Sequence, residues 1–114
     1  DLNALNYLAT RQYPVVAVVM NNNGGGIFSY LPIARFDQYL ERYFVTPHGL
    51  TFEKAAAMYG LSYSCPTDAG QFLDSYRQAV DSKRSAVIEI RIDRKEDHAL
   101  HTRLIKNVCQ AIQG

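Results

Sequence analysis

Val15-Val16-Ala17-Val18-Val19-Met20-Asn21-Asn22-Asn23-Gly24-Gly25-Gly26 is a short apolar run that stops abruptly in a polar, glycine-filled turn. The run is rich in β-branched valine and shows no alternation of polar and apolar residues. That pattern fits a strand buried on both faces, as in a parallel sheet covered by helices. In open parallel sheets, ligands bind beyond the carboxyl ends of the strands, where residues 21–26 stand. The asparagine amides offer neutral oxygen ligands, and the glycines let backbone approach a ligand closely and take positive φ. Mg²⁺ favours oxygen ligands and is often shared with phosphate oxygens. Composition alone nevertheless favours a plain turn, because Asn-Gly is a common tight-turn dipeptide. The familiar phosphate spacings do not decide it. Gly24, Gly26 and Ser29 do not complete G-x-G-x-x-G, and no G-x-x-x-x-G-K-[ST] occurs.

Upstream, Leu2, Leu5, Leu8 and Ala9 repeat at helical spacing and predict a helix over residues 1–12, with Asp1 as N-cap and Tyr13-Pro14 as its end. Downstream, residues 27–31 are mostly apolar up to Pro32, and the aromatic-rich stretch 35–44 reads as a helix. Residues 46–49 read as a turn. A helix over 51–59 is expected, capped by Thr51 and stopped by Gly60. Residues 61–64 read as a short strand. Asp68 and Gln71 form a capping-box pattern for a helix through Val80 whose apolar face is Phe72, Leu73, Tyr76, Ala79 and Val80. Residues 86–92 are the second core strand, and 96–112 a closing helix with Leu100, Leu104, Val108 and Ile112 on one face. Strands alternating with helices predict an α/β fold: a parallel sheet with helices on both faces.

The 114 residues are 47% hydrophobic and 20% charged, which permits a packed core and argues against disorder. A net charge of +1 without a clustered basic face argues against a nucleic-acid partner. No apolar run approaches the ~20 residues of a membrane span, and no signal peptide is visible. Cys65 and Cys109 lack metal-ligand spacing and read as buried or partly buried free thiols in a reducing, cytoplasmic setting. The chain opens on Asp1-Leu2-Asn3 without Met, which suggests that sequence precedes it.

The longer string from Val19 through Gly24-Gly25-Gly26-Ile27-Phe28-Ser29-Tyr30-Leu31-Pro32 resembles the end of the thiamine-diphosphate motif of the menaquinone-pathway 2-succinyl-5-enolpyruvyl-6-hydroxy-3-cyclohexene-1-carboxylate synthases. Residues 1–5, 43–52, 55–61, 87–90 and 93–96 with Leu100-His101 resemble the same family, so the likeness covers nearly the whole chain. Paired asparagines are shared by most thiamine-diphosphate enzymes; the Gly-Gly-Ile-Phe-Ser-x-Leu-Pro run is far more specific.

The resemblance implies that residues 1–114 are the C-terminal portion of a thiamine-diphosphate-binding domain. Its metal site would take Mg²⁺ on the Asn22 side chain and the Gly24 carbonyl. Asn21, Asn23 and Gly25 would shape the turn or touch the diphosphate, and Ile27, Phe28 and Leu31 would line the pocket and keep water away. It further implies a cytoplasmic transferase, a homodimer or tetramer when full-length, that decarboxylates 2-oxoglutarate and adds the succinyl carbanion to isochorismate. The family's Gly-Asp-x-Ser half-motif, activating glutamate and substrate-binding arginines are not in this sequence. The isolated chain is therefore expected neither to turn over substrate nor to bind cofactor tightly, and no catalytic residue is assigned within it.

Among the remaining residues, His98 and His101 read as part of a solvated helix face rather than a metal pair, and His48 as an exposed loop histidine. The tyrosines and phenylalanines read as core or subunit interface, with 36–44 covering a neighbouring domain. Two other functions fit the paired asparagines: another thiamine-diphosphate-dependent 2-oxo acid decarboxylase or acetolactate-type synthase, and a non-catalytic α/β binding module.

Overall fold

The computed structural model describes residues 2–113, so Asp1, expected as an N-cap, lies outside the described residues. The elements are α1 (Leu2–Thr10), β1 (Val16–Asn21), two 3₁₀ turns (Gly26–Tyr30 and Pro32–Arg35), α2 (Asp37–Tyr39), a wide π-type turn (Leu40–Val45), α3 (Glu53–Met58), β2 (Ser62–Ser64), α4 (Ala69–Asp81), β3 (Ala86–Arg91) and α5 (Arg94–Gln113). They form two compact units, one of residues 2–21 and 50–91, the other of residues 22–49 and 92–113.

The first unit is the parallel α/β layer that the apolar runs predict. Its sheet has the order β1-β3-β2, with Val16 and Ser62 both opposite Ala86 and Val19 opposite Glu89. Val87 and Ile88 are both fully buried although they point to opposite faces, so both faces of β3 are covered. Leu5 of α1, Ala56 of α3 and Leu61 pack with Val87, and α4 lies against β1 and β3. Burying a side chain the size of Ile88 is worth roughly 1.5–3 kcal/mol, which makes β3 the anchor of the layer. β1 departs from the expectation of double burial. Among the described residues it pairs only with β3, and its even-numbered face opens toward the carboxyl end, leaving Val18 40% and Met20 60% exposed.

Two helix starts differ in kind. The Asp68 carboxylate accepts the Gln71 N–H at 2.9 Å, and Gln71 Oε1 accepts the Thr67 N–H and hydroxyl at 3.1 Å, so the box closes one residue earlier than the usual pattern. Asp68→Ala should cost about 1 kcal/mol, read as a lower urea midpoint at unchanged m-value. At α3 the expected Thr51 cap is not used. Phe52 holds the N-cap position, where its phenyl offers no acceptor, and its own N–H donates to the buried Glu89 carboxylate at 2.8 Å. Gly60, at φ +66°, ends the segment as expected. On α4, Phe72 and Ala79 are half-buried, whereas Leu73, Tyr76 and Val80 are exposed.

In the second unit the continuous helix expected over 35–44 does not form. After α2 the chain widens: the Thr46 N–H reaches the Glu41 carbonyl five residues back at 3.0 Å. That spacing buries Leu40 and Val45, five apart, and leaves Tyr39, Tyr43 and Phe44 exposed rather than in a core. α5 starts two residues before the expected Glu96, because Asp93 Oδ1 accepts the N–H groups of Lys95 and Glu96. Leu100, Leu104, Val108 and Ile112 do share a face, and that face is exposed. His98 and His101 are not simply solvated, since both rings pack on Tyr30 at 4.9 Å between centroids. Cys65 is half-buried and Cys109 exposed, so the expected burial of both thiols holds only for the first. Among the described residues no helix is long and apolar enough to cross a membrane.

Candidate functional site

β1 ends at Asn21, and the chain turns at once through Asn22-Asn23-Gly24-Gly25 into the 3₁₀ turn at Gly26. Asn23 takes the left-handed conformation (φ +58°), and its side-chain oxygen accepts the Gly49 N–H at 2.7 Å. Gly24 sits at φ +136°, a region open essentially to glycine. A Cβ there would stand 2.3 Å from the Val45 carbonyl oxygen. The Gly25 N–H donates to that same oxygen at 2.9 Å, and Gly25 itself (φ −76°, ψ 66°) is the centre of an inverse γ-turn in which the Gly26 N–H reaches the Gly24 carbonyl. A Cβ on Gly26 would meet the Asn22 amide nitrogen at 2.6 Å, so the Asn22 side chain lies folded over Gly26. The glycines are thus required by close approach of backbone to backbone and of one amide to backbone.

Asn22 and Asn23 are exposed and, with Glu41, Val45, Pro47, Asp93, Arg94 and Lys95, line a cleft of about 210 Å³. Arg94 spans the unit beneath it, donating to the buried Ser29 hydroxyl at 2.7 Å and pairing with Glu41. This fixes the 3₁₀ turn that carries Ile27, Phe28 and Leu31. Phe28 packs edge-on against Phe44 at 5.5 Å, while Ile27 and Leu31 are 72% and 47% exposed.

The oxygens that the turn itself offers a metal are neutral: the Asn22 amide and the Gly24 carbonyl, whose second lone pair the Gly26 N–H leaves open, while the Glu41 carboxylate beside the cleft pairs with Arg94 and Asp93 caps the start of α5. Among the described residues no group of three or more His, Cys, Asp or Glu could hold a metal ion. Such a donor set suits a hard cation that already carries anionic oxygens, such as Mg²⁺ on a diphosphate. It does not suit a self-sufficient protein cage.

Asn21 is placed differently from its neighbours. It is buried, and its amide donates to Glu89 at 2.7 Å and to the Leu50 carbonyl at 3.0 Å. Glu89 is fully buried and also accepts from the Phe52 N–H and the Tyr63 hydroxyl, both at 2.8 Å, with Arg91 3.7 Å away. Burial opposes ionisation, but the bonds from Asn21, Phe52 and Tyr63 and the Arg91 charge outweigh it and hold the carboxyl below its usual range. Burial, followed by the bond to Glu89, pushes the Tyr63 phenol up. Neither Glu89 nor the Arg94–Ser29–Glu41 group emerges from sequence reasoning. The one signal for Glu89 was an acid inside the apolar run Ala86–Ile90.

A parallel α/β layer with a polar, glycine-rich turn at the carboxyl end of a strand is the setting in which open α/β sheets bind ligands. Residues 2–90 match the family described as thiamine pyrophosphate enzyme, C-terminal TPP binding domain, so this is a member of the thiamine-pyrophosphate-dependent enzymes. Within them it is similar to the 2-succinyl-5-enolpyruvyl-6-hydroxy-3-cyclohexene-1-carboxylate synthases. Identity is 46% to that of Salinibacter ruber over 99% of this chain and 19% of the relative, and 47% to that of Rubrobacter xylanophilus over 96% and 19%. It is 42% to that of Chlorobium phaeovibrioides over 91% and 18%. The chain spans about a fifth of the length of the curated relatives it matches.

Proposed function

We propose that this chain is the part of such a synthase that anchors Mg²⁺ and the diphosphate of thiamine diphosphate. The longer enzyme would decarboxylate 2-oxoglutarate and transfer the succinyl unit to isochorismate. The observation that carries the reading is the glycine turn at the end of β1, with Asn22 folded over Gly26 and the Gly24 carbonyl keeping a lone pair. When bound, thiamine diphosphate supplies the electron sink for the decarboxylation, and the protein supplies binding and orientation. Asn22 and Gly24 hold the metal, Gly25 braces the turn against Val45, and Asn21 and Asn23 hold its two ends. Ile27, Phe28 and Leu31 give the site an apolar wall that excludes water once the remaining protein is in place. Residues 1–114 act as the C-terminal portion of the cofactor domain, in a cytoplasmic homodimer or tetramer with no nucleic-acid partner. The names of the relatives support a synthase over a 2-oxo acid decarboxylase, an acetolactate-type enzyme or a non-catalytic module.

Two measurements test this. The full-length protein with Mg²⁺ and thiamine diphosphate should consume 2-oxoglutarate and isochorismate together, followed by mass spectrometry. Release of CO₂ from 2-oxoglutarate without consumption of isochorismate would move the reading to a decarboxylase. Residues 1–114 alone contribute two neutral metal ligands and should bind the cofactor weaker than low micromolar by calorimetry. Tight binding would show that this chain holds a complete site.

A further inference from the structure

We propose that Glu89 is the positioning residue of the diphosphate site. Its buried carboxylate clamps Asn21, and through the peptide bond from Asn21 to Asn22 it fixes the point from which the metal-holding turn departs. This inference rests on the function proposed above.

Glu89 lies in the most buried strand of the sheet, directly after Val87 and Ile88, where an apolar side chain would pack without penalty. A carboxylate in that position costs free energy unless its oxygens are matched by donors. Here the matching donors come from three other parts of the chain. Oε1 takes the amide of Asn21, the last residue of β1, while Oε2 takes the Phe52 N–H ahead of α3 and the Tyr63 hydroxyl of β2. Asn21 in turn uses its other amide hydrogen on the Leu50 carbonyl. With both hydrogens committed, the Asn21 side chain has a single orientation, and the residue that precedes Asn22 is pinned.

A glutamine cannot satisfy the same donors at once. With its oxygen on the Phe52 N–H, its NH₂ faces the NH₂ of Asn21, donor against donor; turned over, it sets its NH₂ against the Phe52 N–H and offers Asn21 only a neutral acceptor in place of a charged one. Tyr63 donates to the other oxygen of the same carboxylate, so Tyr63→Phe perturbs Glu89 at Oε2 while leaving the Asn21 bond at Oε1.

The test uses the full-length protein and reads affinity for thiamine diphosphate at saturating Mg²⁺ by calorimetry, beside kcat at saturating cofactor. Glu89→Gln is expected to weaken the cofactor about tenfold or more while kcat at saturation stays within about twofold. Tyr63→Phe should keep affinity within about twofold, and Asn21→Ala should lose as much as Glu89→Gln. The double variant should be no worse than either single change, because both remove one contact. Unchanged affinity in Glu89→Gln with only a lower melting temperature, or fully additive losses, overturns the proposal. Should Glu89→Gln fail to fold, amide exchange in cofactor-free Asn21→Ala decides. The Gly25 N–H, bonded to Val45, should exchange faster than in wild type, and an unchanged rate refutes the clamp. Asn22→Ala separates the two readings. If it binds like wild type, the metal assignment fails. If it loses the cofactor while Glu89→Gln does not, only the clamp falls.

Discussion

Gly24→Ala in the full-length protein should weaken binding of thiamine diphosphate with Mg²⁺ by roughly a hundredfold or more, the largest cofactor effect expected of a single methyl group in this chain. At φ +136° an alanine is strained, at a cost on the order of 1–3 kcal/mol. Its Cβ would also stand 2.3 Å from the Val45 carbonyl oxygen, which is backbone and cannot rotate aside. Relieving that contact costs about another 1–3 kcal/mol. It also breaks the Gly25–Val45 bond that sets the direction of the Gly24 carbonyl. The methyl group would therefore act on the proposed metal site through backbone, and raising Mg²⁺ should not restore affinity fully. Calorimetry across a Mg²⁺ series checks this. Wild-type affinity in Gly24→Ala would mean that the turn relaxes without cost and that its geometry does not define the site.

The second large effect is on stability. Glu89→Ala should destabilise the protein by about 2–4 kcal/mol, because it strands the amide of Asn21, the N–H of Phe52 and the hydroxyl of Tyr63 around a cavity. The same carboxylate sets a pH signature. Its folded pKa lies below the ordinary value of 4.5, so at neutral pH its contribution is fully present. The contribution is lost as pH falls from that value through the folded pKa, where the native state must give up a charge it prefers to keep. Urea midpoints measured between pH 7 and pH 3 should fall more steeply for wild type than for Glu89→Gln. Parallel curves would show that the carboxylate is no more stable ionised in the folded protein than in the unfolded chain.

The local patterns translated well where one residue type answers one local demand. The β-branched run 15–20 became β1, the Asp68–Gln71 pair became the start of α4, and the acid-poor, glycine-rich turn is the one place where Gly24 is needed at positive φ. Local pattern failed where several local solutions were open. Phe36, Tyr39, Leu40, Tyr43 and Phe44 fit a helical face, yet the chain widens to an i→i+5 turn that buries Leu40 and Val45 together. Thr51 is a good cap by type. It is passed over because α3 starts one residue later, after Phe52, whose N–H is held by a carboxylate in a strand 37 residues away.

By itself, the sequence determined the parallel α/β class, the family and the turn that offers Asn22 and Gly24, since these follow from periodicity, glycine and a specific string of neighbours. Only the tertiary structure decided that Asn21 faces inward to Glu89 while Asn22 lies over Gly26, and that β1 has an open face. Those outcomes depend on which donors and acceptors distant parts of the chain bring together. A buried carboxylate settles into whichever arrangement satisfies all its oxygens at once, and no local pattern records that choice.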